Sequence, residues 1–308
     1  MEISVVICTL DRADLVRAAV TSLARQTTPP ASFELIVVDN SPDGSTVAAL
    51  ADLASTVENL RLVHEPTTGL SQARNRGALE ATAPVVLFMD DDALAEPQLL
   101  ATHLGAFQDE HVVATGGRIH LRWPAAEPAW LPAELRPYYS GLDLGDVPRP
   151  LALPEYPYGA NMAIRRAVLD QVGGFSTDLG RHGRSLLSGE EKDLFRRIGE
   201  RGGEVRYLPD AVVHHCVLPD RVSRRWLLRR SYAQGRSDIA MGALAGDRPG
   251  RTRVALRMLL HAGRGLRYGV VAPIALLRRD GGRRAVHRAS QCLRWLGAAR
   301  AGLVLLLA

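Results

Sequence analysis

The first 90 residues alternate apolar, β-branched runs with helix-forming stretches, and that alternation constrains the fold more than any other feature of the chain. ISVVICT (3–9), ELIVVD (34–39), LRLVHE (60–65) and PVVLFMD (84–90) read as strands, with RADLVRAAVTSLARQ, GSTVAALADLAS and GLSQARNRGALEAT between them as helices. Strands separated by helices build βαβ units and therefore a parallel sheet. Near-continuous apolar character, rather than alternation, predicts strands covered on both faces. Ligands of such sheets bind beyond the carboxyl ends of the strands. There the chain sets Thr9 and Asp11, Asp39 and Asn40, Glu65, and Asp90, Asp91 and Asp92. One polar strand end is commonly a solvated turn; four in succession weaken that reading.

Three adjacent carboxylates at the end of an apolar strand repel one another unless a cation neutralises them, and hard oxygen donors suit Mg2+ or Mn2+. Side chains alternate along an extended strand end, so Asp90 and Asp92 share one side while Asp91 faces the other. A divalent ion held by one or two carboxylates keeps positions open for phosphate oxygens. Capping of the following helix, AEPQLLATHL, accounts for one or two of these aspartates but not for three.

At 308 residues the chain is long enough for one α/β core and an appendage. Between about Arg122 and Pro157 it is rich in Pro, Trp and Tyr and lacks periodicity, as functional loops do. Trp123, Trp130, Tyr138 and Tyr139 in that loop either stack on a ligand ring or anchor the loop, and anchoring is the commoner role. EVRYL and AVVHHC then read as a strand pair, and helices studded with arginine follow from Arg221. Residues 221–308 hold 19 arginines against Asp238, Asp247 and Asp280, whereas residues 1–220 hold 19 basic and 30 acidic side chains. Cys8, Cys216 and Cys292 are too few and too scattered for a disulfide framework or a zinc ribbon. The N-terminus enters a strand at once without a signal-peptide pattern, so a cytoplasmic location is expected. YGVVAPIALL (268–277) and AGLVLLLA (301–308) are too short to span a bilayer and read as core or interfacial helices.

The segments VVICTLDR, VVDNSPDGS, GLSQARNRG, FMDDDA and SGEEKDLFRR occur in an order that resembles glycosyltransferase family 2 over about residues 1–220. The resemblance implies a GT-A fold: a Rossmann-like, mostly parallel central sheet flanked by helices. Residues 1–120 would be its nucleotide-binding half and 121–220 its acceptor-binding half, with 221–308 a basic helical tail. It also implies an inverting, divalent-metal-dependent transfer from a nucleotide sugar to an acceptor hydroxyl. Thr9, Asp11, Arg12, Asp39, Arg74, Asn75, Asp90 and Asp91 would contact the nucleotide, with Asp39 on the base, which suits a UDP- or dTDP-sugar. Asp92 would hold the metal, joined by His214 after the later strand, since only one of His214 and His215 can face the cleft. Gly159 and Asn161 would lie on the acceptor side, and the alternative there is a hydrogen-bonded turn. The family's Glu-Asp pair is Glu190-Glu191 in this chain, with Glu191 at the position of the general base and Glu190 and Asp193 as competitors. Those three acids also suit the first turn of a helix, pairing with Arg196 and Arg197.

Two other functions compete. A dehydrogenase or nucleotidyltransferase would show G-x-G-x-x-G after the first strand or a lysine-bearing phosphate loop; here CTLDRAD stands there and Lys192 is the only lysine. A catalytically inactive nucleotide-sugar-binding protein of the same fold has the Glu190-Glu191 departure in its favour. The acceptor is expected to be a carbohydrate, a lipid-linked sugar or a small molecule. RVSRRWLLRRSYAQG is a basic amphipathic stretch that suits an anionic membrane surface, peripherally on the inner face. No nucleic-acid module accompanies it, so no nucleic-acid partner is expected.

Overall fold

The computed structural model describes residues 1–181, 183, 186–244, 259–267 and 282–307. They form two compact units, one of Met1–Arg122, Ser140–Asp178 and Glu190–Cys216, the other of Trp123–Tyr139, Leu179–Gly189 and the chain from Val217. The Pro- and aromatic-rich stretch thus divides, its first part joining the arginine-rich helices.

The first unit is built on one nine-stranded sheet: β1 (Ile3–Thr9), β2 (Phe33–Asp39), β3 (Leu60–His64), β4 (Val85–Asp90), β5 (Ala93–Ala95), β6 (Val112–Arg122), β7 (Arg149–Leu151), β8 (Met162–Arg165) and β9 (Glu204–Cys216). The order is β3-β2-β1-β4-β8-β6-β9-β5, with β7 also on β9. The first four strands are parallel, as their helical connections require; β8 enters antiparallel, and β6 and β9 run parallel to each other. Helices α1 (Ala13–Leu23), α2 (Ser45–Ala49), α3 (Ala51–Thr56), α4 (Leu70–Glu80), α5 (Leu99–Ala106), α6 (Arg166–Gln171) and α7 (Glu190–Gly199) connect the strands. The stretch read as one helix over GSTVAALADLAS breaks at Leu50 into α2 and α3.

Because strand side chains alternate, the two faces of the sheet bury separate cores. Ile3, Val5 and Ile7 pack with Val16, Val20 and Leu23 of α1 and Leu99 and Leu100 of α5. Val6, Val86 and Phe88 pack with Ala73 of α4, Leu169 of α6 and Leu194 and Ile198 of α7. Each fully buried aliphatic side chain contributes roughly 1.5–3 kcal/mol. Helix α4 packs on the sheet at Gly77, where an added Cβ would overlap the Val6 side chain. Register sets Thr9 opposite Asp39 and Cys8 opposite Asp90, so the carboxyl ends of β1, β2 and β4 share one edge.

In the second unit α8 (Arg224–Leu244), a helical stretch α9 at 259–267 and α10 (Arg283–Leu307) are described. Helices α8 and α10 meet through glycines: a Cβ on Gly235 would strike the Arg294 carbonyl, and one on Gly297 the Tyr232 carbonyl. Ser231 and Ser290 share a buried hydrogen bond of 2.7 Å in the same seam. Trp123 packs edge-on against Tyr139, which stacks on Trp226, while Arg224 covers Trp130 and Arg230 covers Tyr138. Three of the loop's four aromatics thus meet side chains of α8 directly, and Trp123 packs on one of the three, Tyr139. The apolar stretch at 268–277 lies outside the described residues. No helix among the described residues is long and apolar enough to cross a membrane.

Candidate active site

The end of β4 carries Asp90, Asp91 and Asp92, and the pairing of β5 with β9 sets Ala93 opposite His215. The Cys216 N–H donates to the Asp92 carbonyl at 2.7 Å, locking that register. His215 Nε2 comes within 3.0 Å of Asp92 Oδ1, and donor atoms of Asp90, Asp92 and His215 all lie within 4.8 Å of one another. Two carboxylates and one imidazole form a donor set for a divalent transition metal. His215 is buried, and among the described residues its Nδ1 has no hydrogen-bond partner.

The expectation for His214 is corrected here. It sits on the other face of β9, its Nε2 2.6 Å from Glu96 Oε1 and its ring 5.6 Å from that of His120. Alternation admits one histidine, and Ala211, Val213 and His215 share the buried parity.

Arg12 and Arg74 supply the positive charge. Thr9 donates to Asp91 at 2.8 Å, and Arg12 lies 3.2 Å from Asp91 and 3.5 Å from Asp92. Arg74, buried on α4 with Phe175 under its guanidinium, pairs with Glu190 at 3.1 Å, Glu191 at 3.3 Å and Asp90 at 3.5 Å. Five carboxylates thus share two guanidiniums. Burial and the neighbouring Asp92 raise the Asp91 carboxyl well above the usual range. Burial likewise, with Glu190 beside it, pushes Glu191 up to about 7 against the pull of Arg74. Burial is the first cause of both raised carboxyls, and the crowding of like charges adds to it. Burial also pushes the Cys8 thiol up to about 12, so it stays protonated and adds no charge.

Glu190 and Glu191 begin α7, yet they are not equivalent. The Glu190 side chain is 2% exposed and bonded to Arg74, while that of Glu191 is 18% exposed. Gly159 donates its N–H to Glu191 Oε1 at 3.1 Å. A Cβ on Gly159 would overlap the Arg74 guanidinium and crowd Glu191, so any larger residue there has to displace both side chains. Asp193 is spent on Arg196 and Arg197, at 2.9 Å each, which leaves it out of the cluster.

Three expected ligand contacts have other partners. Asn161, expected on the acceptor side, is fully buried: its Nδ2 donates to the Arg118 and Ala211 carbonyls and its Oδ1 meets His103 Nε2 at 2.9 Å. His103 Nε2 must then carry the proton, leaving Nδ1 to accept from Thr115 at 2.8 Å. Burial lowers His103 to about 4 and keeps the ring neutral. Asn75, expected over the nucleotide, clamps the Phe175 backbone, donating to its carbonyl at 2.9 Å and accepting from its N–H at 2.8 Å. Asp39 is fully buried, and its two oxygens accept the Ser41 and Val47 N–H groups at 2.9 Å each. It shapes the loop after β2 instead of presenting a free carboxylate. Asn40, not singled out for a role, ties that loop to the next by accepting from Gly69 N–H at 2.7 Å and donating to the Glu65 and Thr67 carbonyls. Asp11 closes β1 in the left-handed region, φ 54°, exposed beside Ser45.

Residues 4–173 match the family profile Glycosyl transferase family 2. The chain is 31% identical over 248 residues to the glucosyl-dolichyl phosphate glucuronosyltransferase of Haloferax volcanii, covering 79% of this chain and 78% of that one. It is 27% identical to the succinoglycan biosynthesis protein ExoM of Rhizobium meliloti, covering 85% and 91%. Among solved structures, the mannosyltransferase PcManGT from Pyrobaculum calidifontis in complex with GDP-Man and Mn2+ superposes with a TM-score of 0.57 at 24% identity, over 80% of this chain and 65% of that one. GalNAc-T7 with UDP, GalNAc and Mn2+ gives 0.55 at 16% identity, over 78% and 51%. These two likenesses establish the GT-A fold. The matched profile, the relatives and the fold agree: the chain is a glycosyltransferase and belongs to glycosyl transferase family 2.

Proposed function

We propose that this glycosyltransferase moves a sugar from a nucleoside-diphosphate donor to an acceptor hydroxyl with inversion at the anomeric carbon, Glu191 serving as general base. The observation that carries this reading is the meeting of the Asp90, Asp92 and His215 donor set with Glu191 across a single guanidinium, Arg74. Asp90, Asp92 and His215 would hold a divalent cation, and the imidazole favours Mn2+ over Mg2+. Such an ion, when bound, offsets the charge that develops on a departing diphosphate.

Everything else falls to the chain's own side chains. Arg12 fixes Asp91 and Asp92 so that they do not turn away from the edge. Arg74 and the Gly159 N–H hold Glu191 Oε1, which leaves its second oxygen for the acceptor hydroxyl. One carboxylate suffices for inversion, because a single proton leaves the acceptor oxygen as it attacks the face opposite the leaving group. Glu190, buried and bonded to Arg74, is a positioning residue. Its charge raises the proton affinity of Glu191.

The acceptor is a hydroxyl on a carbohydrate, a lipid-linked sugar or a small molecule. A UDP- or dTDP-sugar was expected from Asp39, but that carboxylate is buried in backbone bonds. The donor's base is therefore the variable to screen. UDP-, dTDP- and GDP-sugars are assayed for hydrolysis and transfer with Mn2+, and again after EDTA. The reading requires one donor to turn over, with loss of turnover in EDTA and recovery on adding Mn2+. Turnover indifferent to EDTA and to Asp92→Asn contradicts the metal role.

A further inference from the structure

The second unit carries an open groove of about 670 Å³ with an unusual lining. Arg225, Arg229 and Arg236 stand along one stripe of α8, at i, i+4 and i+11, with Tyr232 between them. Leu228 and, from α10, Leu293 supply an aliphatic floor. All three arginines are exposed, and no ion pair or hydrogen bond of theirs is found among the described residues. Their neighbours differ. Arg294 is paired with Asp238 at 2.8 Å, and Arg230 is buried over Tyr138 and bonded to Ser188. Asp238 is thus taken by an arginine outside the lining, and the lining contains no carboxylate.

We infer that this groove binds the headgroup and first methylenes of an anionic phospholipid, attaching the protein to a membrane surface. Guanidinium groups in a row match phosphate oxygens through paired N–H donors. The leucine floor requires an apolar portion on the same ligand, which inorganic phosphate lacks. A nucleic acid offers phosphates and stacking faces but nothing for the aliphatic floor. A zwitterionic lipid also has a phosphate, but its choline cation cancels the negative charge that a row of three arginines attracts. The volume is in the range of a small-ligand site. This inference does not rest on the catalytic reading: transfer to a soluble acceptor succeeds or fails without it.

The test is co-sedimentation of the full chain with vesicles of phosphatidylcholine alone or mixed with phosphatidylglycerol. Binding to the anionic vesicles only is expected, weakening as salt rises. The variant Arg225→Gln/Arg229→Gln should lower partitioning about thirtyfold, the loss of two basic side chains at an anionic surface. Arg25→Gln/Arg201→Gln removes the same charge from exposed arginines of the first unit and should leave binding unchanged. Leu228→Asn should weaken vesicle binding without affecting any binding of a DNA duplex. Equal binding to both vesicle types, equal losses in the two double variants, or a DNA duplex that binds more tightly than the anionic vesicles would each overturn the inference. Both double variants alter exposed side chains, so unchanged melting temperatures check that the fold is intact.

Discussion

The sheet edge of the first unit and the groove of the second are charge imbalances of opposite sign, and they are handled differently. At the edge, five carboxylates are gathered on two arginines and largely withdrawn from water. In the groove, three arginines stay exposed without acids among the lining residues. Burial makes the first imbalance costly, and it surfaces as raised carboxyls at Asp91 and Glu191. Exposure makes the second cheap, since water and salt screen it. A buried excess of charge calls for a small, strongly bound counter-ion. An exposed excess suits a broad, salt-sensitive surface.

The largest effect that separates the two regions is at Glu191. Glu191→Gln keeps the shape and removes the base, so kcat should fall about a thousandfold while donor KM changes little; steady-state kinetics with the preferred donor check this. Gly159→Ala comes next. Its Cβ would displace the Arg74 guanidinium and Glu191 together, and a displacement on the order of 1 Å costs about a hundredfold in turnover. The groove offers no comparable sensitivity, so vesicle binding should be unaffected by either change.

A third prediction uses pH. Glu191 must be ionised to accept a proton, and its carboxyl is pushed up to about 7. Turnover should therefore rise about tenfold per pH unit below that value and level off above it. Arginine does not titrate there, so phosphatidylglycerol binding should stay flat between about pH 6 and 8.5. A flat pH profile of kcat would remove Glu191 from the role of base. The smallest effect on chemistry is expected from Asn161→Ala. It leaves His103 and two carbonyls unpaired in the core, destabilising the fold by about 3 kcal/mol with turnover per folded molecule unchanged. Chemical denaturation and kinetics on the same sample separate these outcomes. A raised acceptor KM in place of lost stability would restore Asn161 to the acceptor side.

The strands and the acidic edge were legible because a parallel sheet writes itself plainly: apolar runs, then a polar residue at each carboxyl end. Arg74 and the two glutamates stand in the segments that carry the motif order, whereas Gly159, read on the acceptor side, meets Arg74 and Glu191. The choice between His214 and His215 was not legible, because both follow an apolar run, AVV, in which every residue suits either face. Which one turns inward is set by the pairing of β9 with β5 and by the register shift between Gly117 and Arg118 on β6. Alternation from a strand whose inner parity was already known would have found it. Asn75, Asn161 and Asp39 have protein partners for a common reason. A polar side chain near a strand or helix end serves the backbone as readily as a ligand, and only tertiary neighbours decide between them. The aromatic loop was readable as an anchor, but its membership in the second unit is a long-range property.

The central claim is that the acidic edge takes up a divalent cation through Asp90, Asp92 and His215. Its most direct test is a calorimetric Mn2+ titration of the full chain in the absence of donor, compared with Asp92→Asn, His215→Ala and His214→Ala. The account predicts one site in the wild type, weakened at least about tenfold in the first two variants and retained in His214→Ala. Loss of the site in His214→Ala with retention in His215→Ala, or no Mn2+ uptake by the wild type, would contradict it.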